Sequence, residues 1–248
     1  MTETAKKVAD DARRLGVKAG DVLLVHSSFK SLGAPEASPA DLIDGLIKAL
    51  DGGTLVMPAL SYMHCNPGQR VFNARTTPSN VGAVPEYFRT HYPVLRSLCP
   101  THSCVALGAR AHEITAGQEV DSTPCGAHSP FRRVMELGGR VLFVGCGANC
   151  NTSMHAVEEL VRPDYLFGDT YEYSLRRTDG STVSMNCAAH NFKGYAQKYS
   201  RLTELMPENA IYRGRILAAD CIMMDAPTMW RVAEEYYRKD QHYFVDKV

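Results

Sequence analysis

Residues 139–160 read GRVLFVGCGANCNTSMHAVEEL and predict a buried strand, a tight glycine turn and a helix. The apolar run Val141–Val144 has no polar alternation, which is typical of a strand covered on both faces. Glycines at 145 and 147 allow a sharp turn and a close approach of the backbone to a ligand. Asn151 or Thr152 can cap the helix. The helix therefore begins beyond the carboxyl end of a central strand, where open α/β sheets usually bind ligands.

The predicted helix carries an imidazole and carboxylates at a spacing that brings them together. Steps of three residues leave Thr152, His155 and Glu158 on one helix face. Glu159 follows His155 by four residues and is also within reach of it. A histidine beside a carboxylate is a general base with an orienting partner. A structural histidine beside a solvated glutamate would have the same spacing, so the pattern leaves both interpretations open.

Composition argues against several classes of function. The 248 residues include 27 Lys+Arg and 27 Asp+Glu, so the chain lacks the charge that binding to nucleic acid or anionic membranes requires. Apolar runs stay below the ~20 residues that span a bilayer, and the polar N-terminus lacks the apolar segment of a secretory signal. The eight cysteines include no Cys-x-x-Cys pair. We therefore expect free thiols, no metal site and a cytoplasmic protein.

The region before residue 139 predicts strands that alternate with helices. Val22–Val25 and Leu55–Met57 are apolar strands, and Ser38 with Pro39 starts an amphipathic helix between them. A strand, a helix and a strand joined by short links form a βαβ unit, which favours a parallel sheet.

After Leu160 the pattern changes. Two alternating segments, 170–175 and 181–185, flank Asp179-Gly180, which is a strong hairpin signal. Helices are expected over 191–205 and 229–238. We predict an α/β protein, a three-layer α/β/α sandwich around a mostly parallel sheet. One domain would cover 1–248, with a core over 1–165 and a smaller C-terminal α+β appendage over 166–248.

Common nucleotide-binding and hydrolase motifs are absent from the sequence. It contains neither a P-loop nor the Gly-x-Ser-x-Gly elbow of α/β-hydrolases. The glycines at 145 and 147 lack the third glycine of the dinucleotide fingerprint. A nicotinamide-dependent short-chain oxidoreductase that uses this turn is a rival interpretation.

Six motifs in order resemble the aminoglycoside 3-N-acetyltransferase family, which transfers acetyl from acetyl-CoA to an amine of an antibiotic. They are Val25–Gly33 (VHSSFKSLG), Gly53–Pro58 (GTLVMP), Thr77–Gly82 (TPSNVG), Pro100–Ser103 (PTHS), Gly126–Pro130 (GAHSP) and Asn151–Glu158 (NTSMHAVE). The C-terminal segment with His190 and Tyr199 is also similar to the family. Cys99 departs from the pattern, because the family usually has a histidine in that segment.

The resemblance implies a catalytic site and a cofactor site. His155 would take a proton from the acceptor amine, Glu158 would orient His155, and Thr152 would bind the thioester oxygen or the leaving thiolate. Acetyl-CoA would be held by hydroxyls and helix-start N–H groups. The residues that the resemblance assigns to the cofactor are His26, Ser27, Ser28, Thr77, Ser79, Asn80, Val81, Ser103, Val105 and Ser129.

The resemblance also implies a small-molecule amine acceptor. Aminoglycosides are polycations that need acidic groups around them, and Glu159, Asp164 and Asp169 are the candidates after the key helix. We expect a monomer or homodimer with no nucleic-acid or membrane partner. An acetyltransferase for a non-antibiotic amine and a non-catalytic CoA-binding relative are the alternatives.

Overall fold

The computed structural model describes residues 1–192 and 194–248. Within them the chain forms eight α-helices and twelve strands. The helices are α1 (Glu3–Leu15), α2 (Pro39–Leu50), α3 (Ala83–His91), α4 (Ala111–Thr115), α5 (Pro130–Glu136), α6 (Met154–Val161), α7 (Leu202–Leu205) and α8 (Ala226–Lys239). The strands are β1 (Val22–Ser27), β2 (Thr54–Pro58), β3 (Val71–Asn73), β4 (Leu95–Arg96), β5 (Cys104–Gly108), β6 (Arg140–Val144), β7 (Phe167–Arg176), β8 (Thr182–His190), β9 (Tyr195–Gln197), β10 (Ile211–Ile216), β11 (Ala219–Asp225) and β12 (Val245–Lys247).

The centre of the molecule is a seven-stranded sheet in the order β10-β11-β6-β1-β2-β5-β4. Strand β1 pairs in parallel with both β2 and β6, as the βαβ pattern predicted. The outer strands pair antiparallel, so β5 and β11 run against the direction that the other five strands share. The predicted α/β class with a mostly parallel sheet is therefore confirmed, although the strands at both edges pair antiparallel.

Apolar side chains of the central strands alternate between two cores on opposite faces of the sheet. Leu23, Val25 and Leu142 belong to the core that includes residues of α1, α2 and α3. Leu24 and Phe143 belong to the core that includes residues of α5, α6 and α8. Both faces of the sheet are covered, which explains why β1 and β6 read as continuous apolar runs.

The C-terminal region is more closely joined to the core than predicted. Strands β10 and β11 extend the central sheet, because β11 pairs antiparallel with β6 over Cys221–Asp225. Helix α8 packs in the core on one face. The elements that stand apart are a three-stranded sheet, β3-β7-β8, and a two-stranded sheet, β12-β9. The predicted appendage over 166–248 is therefore wrong for residues 211–239.

Two local predictions after Leu160 have different outcomes. The hairpin around Asp179-Gly180 is confirmed, since β7 pairs antiparallel with β8. The helix expected over 191–205 is wrong: Gly194 has a left-handed φ of +82°, and β9 follows it before the short α7. A residue with that φ cannot continue a right-handed helix. Among the described residues, no helix is both long enough and apolar enough to cross a bilayer.

Candidate active site

The glycine turn after β6 places the start of α6 at the edge of the sheet. Gly145 has φ of +66°, and a Cβ there would clash with Ser31. The close approach that this glycine allows is therefore between its backbone and the Ser31 side chain. Ser153 occupies the N-cap, while the Asn151 side chain accepts hydrogen bonds from the Ser153 N–H and hydroxyl. Neither predicted cap, Asn151 nor Thr152, is the N-cap residue. Thr152 therefore lies just outside the helix.

Helix α6 brings His155 and Glu158 together, as their spacing predicted. His155 Nδ1 lies 2.9 Å from Glu158 Oε2, and the two side chains are 12% and 0% exposed. A carboxylate accepts hydrogen bonds, so Nδ1 carries the hydrogen and the lone pair on Nε2 remains free to take a proton. This pair has the arrangement of a general base with its orienting group.

Three tyrosine hydroxyls surround the Glu158 carboxylate. Tyr199 donates to Oε2 at 2.9 Å, while Tyr165 and Tyr237 donate to Oε1 at 3.0 and 2.9 Å. Burial alone would raise the pKa of Glu158, but hydrogen bonds from His155, Tyr199 and Tyr237 hold that pKa below its usual value. The carboxylate therefore stays ionised and can stabilise a protonated His155.

Three further histidines lie near His155. The His102 ring centroid is 5.5 Å from that of His155, and the His190 centroid is 5.3 Å from it. Burial lowers the pKa of His26 to about 3, with a further contribution from His155. Burial also lowers the pKa of His102 and of His190, and His155 contributes in both cases. The imidazoles of His26, His102 and His190 are therefore neutral near pH 7. Of these three histidines and His155, only His155 pairs with Glu158.

A second histidine–carboxylate pair lies beside the first. His190 Nε2 is 2.8 Å from Glu159 Oε1, which also accepts the Cys125 N–H at 2.8 Å. Both side chains of the pair are nearly buried, at 4% and 6% exposed. Glu159 therefore lies behind His190, and the structure does not bring it to the cavity surface as a direct substrate ligand.

Two cavities meet next to His155. The larger, of about 540 Å³, contains His102, His155, His190 and Tyr199 in its wall. The smaller, of about 250 Å³, includes residues from the carboxyl ends of β1 and β2. Three residues line both cavities: Tyr62, Cys150 and Thr152. The Thr152 hydroxyl is buried and has no hydrogen-bond partner among the described residues, so it is free to bind a ligand where the cavities join.

The structure brings only part of the predicted cofactor set to the smaller cavity. His26, Ser27 and Val81 line it. Four other predicted cofactor residues have structural partners for their polar side chains. Ser28 bonds to Ser31, Thr77 accepts the Asn73 N–H, the Ser79 hydroxyl accepts the Val81 N–H, and Asn80 accepts the Met63 N–H.

The remaining predicted cofactor residues are buried away from both cavities. Ser103 donates to the Ala59 carbonyl and Val105 packs in a core. Ser129 is the N-cap of α5, where its hydroxyl accepts the Arg132 N–H. None of these residues is among the cavity-lining residues.

The other two predicted acidic substrate ligands, Asp164 and Asp169, are exposed and do not line either cavity. Asp164 lies 3.0 Å from His242 Nε2, and Asp169 accepts from the Tyr171 hydroxyl at 3.4 Å. Cys99, the departure from the family pattern, is buried, and its sulfur accepts the His102 N–H at 3.3 Å. Cys99 therefore supports the loop that presents His102.

Two residues that hold Glu158 were missed by sequence reasoning. Tyr165 lies seven residues after Glu158 and Tyr237 lies 79 residues after it. Tyr237 falls on the apolar face of a helix, where a tyrosine hydroxyl needs a buried partner, but the sequence does not say which partner. His102 lies in the Pro100–Ser103 motif but was not a candidate site residue, whereas it lines the larger cavity.

Comparisons with known proteins settle the family. The sequence profile described as aminoglycoside 3-N-acetyltransferase matches residues 24–238. The chain belongs to the aminoglycoside 3-N-acetyltransferase family. This match confirms the resemblance and the predicted enzyme class, an acetyl-CoA-dependent aminoglycoside N-acetyltransferase.

Relatives in this family differ in how much of the chain they match. Aminoglycoside N(3)-acetyltransferase IV of Salmonella sp is 40% identical over 157 residues, which span 61% of this chain and 57% of that protein. Aminoglycoside N(3)-acetyltransferase III of Pseudomonas aeruginosa is 26% identical, across 95% of this chain and 94% of that protein.

Solved structures in the family share the fold. AAC-IIIb in a binary complex with CoASH gives a TM-score of 0.82 at 24% identity, over 95% of this chain and 96% of that one. A histidine-to-alanine variant of AAC(3)-IVa in complex with gentamicin gives 0.81 at 27% identity, over 97% of this chain and 90% of that one. Within the described residues, no group of three or more His, Cys, Asp or Glu side chains is arranged to hold a metal ion.

Proposed function

We propose that this protein transfers the acetyl group of acetyl-CoA to the 3-amino group of an aminoglycoside-type acceptor, with His155 as the base. The observation that carries the proposal is the junction of the two cavities. Thr152 lines both cavities, and His155, backed by the buried Glu158, lines the larger one. A base beside the junction can reach an amine on one side while a thioester is held on the other.

The chemistry follows from the arrangement of the dyad. An ammonium group has no lone pair, so His155 Nε2 must first take a proton from the acceptor. The free amine then attacks the thioester carbonyl carbon, the carbon–sulfur bond breaks, and the coenzyme thiolate takes the proton that the nitrogen loses as the amide forms. Glu158 stabilises the imidazolium that forms, because its carboxylate lies 2.9 Å from Nδ1.

The Thr152 hydroxyl would assist the attack on the carbonyl. Negative charge develops on the thioester oxygen in the transition state, and a hydroxyl at the junction can donate to that oxygen. The smaller cavity, with His26, Ser27 and Val81 in its wall, is the proposed channel for the pantetheine arm. The relative bound to CoASH supports a coenzyme site in this fold.

The test of the function is acetyl transfer by His155→Ala. Loss of a general base should lower kcat by roughly 10²- to 10⁴-fold, while the affinity for CoA stays within about twofold of the wild type. His242→Ala is the matched control, because His242 also pairs with a carboxylate but does not line either cavity. Turnover by His155→Ala at the wild-type rate would contradict the proposed role.

We also propose that the chain acts as one domain over 1–248, in the cytoplasm, as a monomer or homodimer without a nucleic-acid or membrane partner. Two observations support this setting. The C-terminal strands β10 and β11 complete the central sheet, and all eight cysteines are free thiols, a state that the reducing cytoplasm maintains. Sedimentation of the purified protein would measure its oligomeric state.

A further inference from the structure

The turn between β6 and α6 brings two cysteine side chains into contact. Gly145 and Gly147 flank Cys146, and both glycines have left-handed φ values. A single 3₁₀ turn over Ala148–Cys150 follows. The chain reverses so sharply that the sulfurs of Cys146 and Cys150, four residues apart, lie 2.7 Å from each other. This tight turn therefore carries a dithiol.

These two thiols are open to small molecules in a way that the other cysteines are not. Cys146 and Cys150 line the smaller cavity, and Cys150 also lines the larger one. The six other cysteines of the chain are buried. They include a second pair of neighbouring thiols, Cys99 and Cys187, and neither of these is among the lining residues of the two cavities. A reagent that enters the cavities therefore meets Cys146 and Cys150 first.

The contact between the two sulfurs makes them chemically unequal. The S–H of Cys150 donates to the Cys146 sulfur, and this hydrogen bond lowers the pKa of Cys146 although burial opposes the effect. The same contact raises the pKa of Cys150, and burial adds to that rise. The thiolate is the form of cysteine that attacks a disulfide. Cys146 is therefore the attacking sulfur, and Cys150 is the neighbour that can displace whatever becomes bound to it.

We propose that Cys146 and Cys150 form a reversible redox pair, which a low-molecular-weight disulfide converts into an intramolecular disulfide that slows acetyl transfer. The Cys146 thiolate attacks one sulfur of the small disulfide, whose S–S bond breaks, and the released half takes up the proton that Cys146 gave to water. Cys150 then loses its proton, and its sulfur attacks Cys146 and displaces the second half, which takes that proton. The two cysteines are oxidised, and the small disulfide is reduced to two thiols.

Oxidation removes a hydrogen that the turn uses. The Cys150 sulfur also lies 2.9 Å from the Gly147 carbonyl oxygen, and its single S–H can donate to that oxygen or to Cys146. A disulfide sulfur has no hydrogen to donate, so the contact with the carbonyl becomes repulsive and the turn has to shift. Thr152 follows two residues later, where the two cavities join. A small displacement there should slow the reaction that the proposed function assigns to this junction.

The first test identifies which thiols are oxidised. The reduced wild-type protein is treated with excess glutathione disulfide and unfolded in iodoacetamide, and its proteolytic fragments are analysed by mass spectrometry. We expect Cys146 and Cys150 in one fragment, unalkylated and lighter by two hydrogen atoms, with the six buried cysteines alkylated. Dithiothreitol should restore both thiols. A stable glutathione adduct on Cys146, a disulfide elsewhere or complete alkylation of all the cysteines would overturn the inference.

Two variants assign the roles within the pair. Cys150→Ser removes the displacing thiol, so glutathione should remain bound to Cys146. Cys187→Ser is the matched control, because it disrupts the buried contact with Cys99 and leaves the redox pair in place. It should form the same intramolecular disulfide as the wild type. An unmodified Cys146 in the first variant, or loss of that disulfide in the control, would contradict these roles.

The effect on catalysis is measured as acetyl transfer to neomycin, with the product detected by mass spectrometry and each protein compared with its own reduced form. We expect the oxidised wild type to be slower by roughly tenfold and to recover with dithiothreitol. This part of the inference rests on the proposed function. Full transfer by the oxidised protein would overturn the effect of the disulfide on catalysis. A reduced protein without any transfer would contradict the proposed function instead, and the thiol analysis would still decide whether the redox pair forms.

Discussion

His26 should make the stability of this protein depend on pH. The side chain is buried at the carboxyl end of β1 and stacks on Phe143 with ring centroids 5.2 Å apart. Burial lowers its pKa from 6.5 to about 3. At a pH between these two pKa values, His26 is protonated in the unfolded chain but not in the folded chain. The stabilisation is therefore complete above about pH 6.5 and is lost as the pH falls towards 3.

The magnitude follows from the width of that window. Each pH unit across which only the unfolded state is protonated removes about 1.4 kcal/mol from the free energy of unfolding. At pH 5 the loss from His26 should be about 2 kcal/mol relative to pH 7.5. His102 and His190 have pKa values lowered in the same direction, so the wild type should lose more than this in total.

The variant His26→Phe isolates the contribution of one histidine, because it keeps a ring on Phe143 and removes the titration. Urea unfolding would be followed by fluorescence of Trp230, which is buried in the core. Between pH 7.5 and pH 5 the free energy of unfolding of the wild type should fall by about 2 kcal/mol more than that of the variant. Equal falls in the two proteins would refute the reasoning, since His26 would then titrate alike in both states.

Two other substitutions separate structural roles from catalytic ones. Tyr237→Phe removes a hydroxyl that donates to Glu158 Oε1 at 2.9 Å and should lower the free energy of unfolding by about 1.5–3 kcal/mol. It should change kcat by less than about threefold, because Oε2 keeps its bond to His155; denaturation and steady-state assays measure the two effects. Ser129→Ala removes the cap of α5 and should cost about 1 kcal/mol with no change in the KM for acetyl-CoA. A raised KM would instead support the cofactor role that the resemblance assigned to Ser129.

The sequence predicted those parts of the site that depend on local geometry. His155 and Glu158 lie three residues apart on one helix, so helical periodicity alone placed them together. The βαβ unit at β1 and β2 was predicted for the same reason, since apolar runs and caps are local signals. The bond between Tyr237 and Glu158 joins residues 79 positions apart, and no local pattern specifies such a contact.

Side-chain direction was the second limit on the prediction. Ser27 and Ser103 each directly follow a histidine in the sequence. Their side chains nevertheless point to different places: Ser103 donates to the Ala59 carbonyl, whereas Ser27 lines the smaller cavity. The sequence also cannot specify which edge of a sheet a late strand joins. Strand β11 lies beside β6 only because of the tertiary fold, and no local pattern in the sequence specifies that pairing.

The late position of Tyr199 and Tyr237 has a consequence for biosynthesis. A chain emerging from the ribosome exposes His155 and Glu158 well before these two tyrosines, which complete the partners of the carboxylate. Burying the carboxylate costs more without those donors, so closure of the nascent protein around it is favoured only after they have been made. Full compaction around this carboxylate therefore comes late in synthesis. A chain that ends before α8 lacks Tyr237 and this helix's part of the core, so it would stay open to cellular proteases.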